Sequence, residues 1–151
     1  MKENLSQLLE SIYGNSIQIK SVEAIRGGCI NETQVLKLSN GEQVFLKYNP
    51  SPPMNFFNAE TEGLRLLEKP KYGPRVPRFL GISNEFNPQF LLLEYIETSA
   101  PKDGFASCFG QSLAEMHRET QEQYGLDYDN FIGKTIQKNN LELDGLVFFR
   151  E

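Results

Sequence analysis

Residues 34–49 read Gln34-Val35-Leu36-Lys37-Leu38-Ser39-Asn40-Gly41-Glu42-Gln43-Val44-Phe45-Leu46-Lys47-Tyr48-Asn49. Two apolar-rich runs flank Asn40-Gly41, the strongest short-range signal for a β-hairpin. A two-residue turn at that pair sets Ser39 opposite Glu42, Leu36 opposite Phe45 and Gln34 opposite Lys47. Pro50, Pro52 and Pro53 then stop the second strand, because proline has no N–H to give to a ladder.

Upstream, residues 3–13 carry Leu5, Leu8, Leu9 and Ile12 on one helical face. From Ser16 the period becomes two, and Ile17, Ile19 and Val22 predict a strand ending at Gly27-Gly28. Downstream, a helix over 56–68 starts after Asn55 as its cap. Residues 78–82 and 89–96 read as two further strands, joined by the turn-rich stretch 83–88. Thr98-Ser99-Ala100-Pro101 reads as a linker, after which Ala106, Phe109, Gly110, Leu113, Ala114 and His117 follow helical spacing. The order predicts an α+β lobe over residues 1–97, joined to the beginning of a helical lobe over 98–151.

The 151 residues hold 20 Asp and Glu against 15 Lys and Arg, a net charge of −5. The imbalance lies in the second half: residues 76–151 have six basic and twelve acidic side chains, whereas 1–75 have nine and eight. Without a Lys/Arg cluster, such a chain repels a phosphate backbone, and no nucleic-acid partner is expected. No apolar stretch is longer than Phe90 to Leu93, far short of the roughly 18 residues a membrane helix needs, so no membrane association is expected either. Cys29 and Cys108 form neither a metal-ligand spacing nor a disulfide framework, and the N-terminus has no apolar leader. A cytoplasmic, reduced protein is the expectation.

Lys47 taken alone reads most simply as a solvated strand lysine. In the two-residue-turn register it stands three residues from Asn31, roughly 10 Å at about 3.3 Å per residue, a gap that a lysine stem largely spans. Glu60 alters the balance. It falls inside the apolar stripe Phe56, Ala59, Gly63, Leu64 and Leu67, where a carboxylate is costly unless it meets a cation. The preceding strand offers Lys47, and such a pair would hold the lysine extended toward phosphate oxygens. Gly27-Gly28 would let backbone N–H groups approach a phosphate, although an ordinary turn needs the same residues. The strand ending in Glu94-Tyr95-Ile96 runs into the linker, where main-chain groups could meet an adenine edge; a central strand with no such role is the plainer alternative. Cys29, beside glycines and near a lysine, is a candidate redox-sensitive thiol, with an inert loop thiol as its alternative. His117 lies on an apolar stripe and reads as a packed core histidine rather than a metal ligand.

Several ordered segments resemble the fructosamine/ketosamine kinase family, relatives of the aminoglycoside phosphotransferases within the protein-kinase-like fold. They are Gly27-Gly28-Cys29-Ile30-Asn31-Glu32, Val44-Phe45-Leu46-Lys47, Phe57-Asn58-Ala59-Glu60-Thr61-Glu62-Gly63-Leu64 and Leu92-Leu93-Glu94-Tyr95-Ile96. Leu113-Ala114-Glu115-Met116-His117-Arg118, Tyr124-Gly125-Leu126 and the run from Asp129 to Asn139 complete the likeness.

The resemblance implies a kinase-like N-lobe, an antiparallel five-stranded sheet with one αC-type helix, followed by the first helices of an incomplete C-lobe. It implies that Gly27, Gly28, Cys29, Ile30 and Asn31 cover a nucleotide, that Lys47 contacts its phosphates with Glu60 as ion-pair partner, and that Glu94, Tyr95 and Ile96 contact adenine. The implied reaction is ATP- and magnesium-dependent phosphorylation of the sugar 3-hydroxyl of ketosamines, on small amines or on proteins, which reverses glycation. The family's catalytic His-Gly-Asp-x-Trp-x-x-Asn run and its later metal-binding Asp have no counterpart here: Arg118 follows His117, and Gly145 stands where members usually have Trp. The expectation is a nucleotide-binding first half of a kinase, inactive alone, with no catalytic residue or metal ligand of its own. The alternatives are a non-catalytic nucleotide-binding module, a homodimer linked through Cys29, or the N-terminal piece of an aminoglycoside- or choline-type kinase.

Overall fold

Turn signals at Asn40-Gly41, at Pro50, Pro52 and Pro53, and between Ser83 and Pro88 bound short strands, and these assemble into one sheet. The structure, a computed structural model, describes residues 2–25, 30–85 and 87–150. Helix α1 (Lys2–Tyr13) is followed by β1 (Ile19–Ile25), β2 (Glu32–Leu38) and β3 (Gln43–Asn49). Then come α2 (Phe56–Glu68), β4 (Phe79–Ser83) and β5 (Gln89–Glu94). The five strands form an antiparallel sheet in the order β1-β2-β3-β5-β4. The α+β class and the kinase-like five-stranded sheet expected from the sequence are therefore present.

The hairpin register differs by one residue from the expected one. Thr33, Val35, Leu36 and Lys37 pair with Lys47, Phe45, Val44 and Gln43. The cause lies in the turn. Leu38 N–H donates to the Glu42 carbonyl at 2.9 Å and Gly41 N–H to the Leu38 carbonyl at 3.1 Å, so three residues, Ser39 to Gly41, form the loop. Gly41 adopts φ 89°, whereas Asn40 is not among the positive-φ residues; a two-residue I′ turn needs both. The Asn40 side chain instead accepts from Glu42 N–H at 3.0 Å, an Asx-type contact. An added Cβ at Gly41 would meet nothing within 4 Å. Gly41→Ala should therefore cost only the left-handed backbone, about 1–2 kcal/mol, and lower the melting temperature by a few degrees in a thermal scan.

A one-residue slip changes every facing pair, and here it sorts the two faces of the sheet. On one face Leu36, Leu38, Val44, Leu46, Phe90 and Leu92 pack with Leu5 and Leu9 of α1 into a single core. Each fully buried leucine there contributes about 1.5–3 kcal/mol relative to exposure. The other face carries the rows Thr33–Lys47–Leu91 and Val35–Phe45–Leu93. Strand β5 lies inside the sheet, and Phe90 to Leu93 are all buried, which is why that strand reads as an uninterrupted apolar run.

The chain divides into two compact units, Met1–Phe57 with Pro77–Ile96 and Asn58–Val76 with Glu97–Glu151. The second holds most of α2, where Ala59 and Thr61 are buried, while Leu67, expected on the buried stripe, is exposed. It continues with α3 (Phe105–Met116), a hairpin of β6 (Asn130–Ile132) and β7 (Thr135–Gln137), and the short α4 (Gly145–Phe148). The hairpin and the paired segment around it fall where helical continuation was expected. Glycine at 133, with φ 65°, turns the chain between β6 and β7. Tyr124 and Glu142 exchange backbone bonds at 2.7 and 2.9 Å, and Leu126 N–H donates to Asn139 at 3.1 Å. Asn139 is buried, with its side-chain amide donating to Tyr128 O at 3.2 Å and Asn130 Oδ1 at 3.0 Å. Lys138 binds Asp129 and holds that carboxyl below its ordinary pKa, chiefly through the hydrogen bond.

Helix α3 contains no buried residue, and Phe105 and Phe109 stack on one another at 5.9 Å on its exposed surface. His117 caps its C-terminus and is exposed, so the expected core histidine is corrected: the helix stripe it extends is itself open. Asp144 caps α4 by accepting from Leu146 N–H at 2.7 Å. At Gly145 a Cβ would lie 2.8 Å from the Tyr124 ring, which occupies the space that a larger side chain would need.

Candidate functional site

Lys47 projects from β3 on the sheet face opposite α1, half-buried between Thr33 on β2 and Leu91 on β5. The observed register brings it closer to the loop flank than expected. Asn31 is now two residues from the row of Lys47, roughly 7 Å at about 3.3 Å per residue. The adjoining row, Val35–Phe45–Leu93, is apolar, with Val35 and Leu93 buried and Phe45 half-buried.

The chain entering β2 is held by side chains on both sides of the sheet. Thr33 Oγ1 donates to the Ile25 carbonyl at 2.9 Å, tying the end of β1 to the start of β2. Tyr48 donates to Glu32, its cross-strand partner, and that bond raises the tyrosine pKa. Asn49 is buried at 3 % exposure. Its Nδ2 donates to Ile30 O at 3.2 Å and Asn31 Oδ1 at 2.9 Å, and its Oδ1 accepts from Ser51 N–H at 2.9 Å. Gly27, Gly28 and Cys29 lie outside the described residues, so the part of the expected nucleotide loop that can be placed is Ile30 and Asn31.

Glu94 ends β5. Its N–H donates to Arg78 O at 2.8 Å, and its carboxylate accepts from Arg78 N–H at 3.2 Å. That amide is thus used in pairing the sheet, and the half-buried Tyr95 and Ile96 follow it. Glu60 lies on α2 in the second unit and is half-buried. Cys108 is an exposed free thiol.

Thr33, Tyr48 and Asn49 were not singled out in the sequence. The signal for Asn49 was available: an asparagine of the same strand parity as Lys47, next to a proline, at a place where β-propensity disfavours it.

A fructosamine kinase family model matches residues 1–151. The chain belongs to the fructosamine kinase family. It is 34% identical over 154 residues to a Vibrio vulnificus protein named "probable ketoamine kinase", covering 100% of this chain and 52% of that one. A rice (Oryza sativa subsp. indica) "protein-ribulosamine 3-kinase, chloroplastic" is 32% identical over 139 residues, covering 90% and 40%. Among solved structures, a Haemophilus somnus "putative fructosamine-3-kinase" superposes with a TM-score of 0.88 at 32% identity, over 100% of this chain and 51% of that one. The chain spans about half the length of these relatives.

Family membership brings an expectation of a divalent metal beside the nucleotide. Among the described residues no group of three or more His, Cys, Asp and Glu side chains could hold one. Magnesium itself is usually held by one or two carboxylates together with the nucleotide's phosphates and water. No helix of the described residues is long and apolar enough to cross a membrane.

Proposed function

We propose that this chain is the ATP-binding portion of a ketosamine kinase. The family phosphorylates ketosamine sugars, and this portion contributes the nucleotide lobe of that reaction. The observation that carries the reading is the placement of Lys47: half-buried, facing away from the α1 core, beside an apolar row and near Asn31. Ile30, Asn31, Lys47, Glu94, Tyr95 and Ile96 form the nucleotide-facing set on the first unit. ATP is the phosphoryl donor, and a glycated amine, free or on a protein, is the acceptor. The names of the relatives favour a ketosamine over an aminoglycoside or choline acceptor. A free, exposed Cys108 agrees with a reducing, cytoplasmic setting.

A positioned base is typically worth about 10²–10⁴-fold in rate, and metal ions neutralise charge on the transferring phosphoryl group. The family's His-Gly-Asp-x-Trp-x-x-Asn run has no counterpart in this sequence, so the isolated 151-residue chain should bind ATP without turning it over. Phosphorus NMR of the purified chain with ATP, magnesium and a fructosyl-amine checks this. Formation of a sugar phosphate would overturn the inactivity, and an ATP spectrum unaltered by the protein would overturn the nucleotide assignment.

A further inference from the structure

Asn49 is a buried side chain that reaches from the strand of Lys47 to the residues flanking the expected nucleotide loop. It makes three hydrogen bonds with its single amide: two donated, to Ile30 O and Asn31 Oδ1, and one accepted from Ser51 N–H. At 3 % exposure, loss of those bonds would leave buried polar groups unpaired, which proteins avoid. The bonds also transmit direction. A trans peptide is planar, so holding the Ile30 carbonyl toward Asn49 turns the Asn31 N–H the opposite way. The same amide fixes the Asn31 side chain, and Asn49 stands two residues beyond Lys47 on the same face of β3.

We propose that Asn49 is a positioning residue for nucleotide phosphate: it locks Ile30 and Asn31 in place relative to Lys47. A turn-capping role alone would explain the bond to Ser51. It would not require two donors spent on the opposite strand's entry. The inference rests on the nucleotide reading of Lys47.

The test compares ATP with adenosine, which lacks phosphates, in ligand-observed NMR titrations of the purified chain, its Asn49→Leu variant and its Asn31→Ala variant. Asn31→Ala removes one acceptor at a half-buried position, so it decides the matter if Asn49→Leu lacks a cooperative melting transition. The expected result is ATP binding weakened about fivefold to tenfold in both variants, the size of one or two ordinary hydrogen bonds, with adenosine affinity changed less than about twofold. Equal weakening of both ligands, or no change for ATP in Asn31→Ala, would overturn the positioning role while leaving the nucleotide site intact. Wild-type protein that fails to prefer ATP to adenosine would overturn the reading of Lys47, and this inference with it.

Discussion

Lys47→Met is expected to weaken ATP binding roughly 10–100-fold while adenosine binding stays nearly unchanged. The magnitude follows from one charge-assisted hydrogen bond, about 1.5–3 kcal/mol, with about 1.4 kcal/mol per factor of ten. Methionine keeps the length and the apolar stem, so packing against Thr33 and Leu91 is retained and the fold should be undisturbed. Calorimetric titration with both ligands, together with a melting curve, separates lost charge from lost structure. Lys47→Arg should restore only part of the affinity, because a planar fork cannot present the same compact charge from the same place.

The second large effect concerns the other unit. Gly125→Ala should destabilise it by about 2–5 kcal/mol, adding about 1–2 kcal/mol for a left-handed backbone to about 1–3 kcal/mol for overpacking. Gly125 has φ +97°, and a Cβ there would fall against the backbone of Asn139 and Asn140, with Asn140 C at 2.9 Å and Asn139 O at 3.0 Å. Backbone cannot swing aside as a flexible side chain can. The pairing of Tyr124 with Glu142 and of Leu126 with Asn139 would have to open. Hydrogen exchange at Leu126 and Glu142 reads the effect directly: both amides should lose protection, while Leu36, Leu46 and Leu92 in the first unit keep theirs. Unchanged exchange at Leu126 would show that the segment can move apart at little cost.

The elements of the first unit were legible because their signals were local and mutually consistent. Alternation in Val44-Phe45-Leu46-Lys47, the proline block after Asn49 and the apolar spacing of Leu5, Leu8, Leu9 and Ile12 each name one element with few competitors. The hairpin register was not legible. Asn40-Gly41 is compatible with two turn lengths, and the choice is made by contacts from outside the hairpin. Ser39 N–H donates to the Gln18 carbonyl at 2.8 Å, and its hydroxyl accepts from Gln18 N–H at 3.1 Å, drawing Ser39 into the loop.

The candidate site was legible in part for the same reason. Lys47 and Glu60 stand out as charges among apolar neighbours. Thr33, whose work is done by a hydrogen bond to distant backbone, leaves no periodic trace, and Asn49 is marked only by its low strand propensity beside a proline. In the second unit, Gly125, Gly133 and Asn139 hold the hairpin region together through positive φ and a buried amide. Helical periodicity before them carried the reading past residues whose turn chemistry pointed elsewhere. His117 shows the complementary failure: an apolar stripe on α3 marks a face suited to burial, and that face is exposed here.

Amide-resolved NMR of the isotope-labelled chain titrated with ATP tests most directly whether a nucleotide sits on the Lys47 face of the first unit. Amides of Asn31, Thr33, Lys47 and Leu91 should shift with ATP, whereas those of Leu5 and Leu9 on α1, packed against the opposite face, should stay in place. Shifts confined to α1, or none in the first unit, would contradict the account.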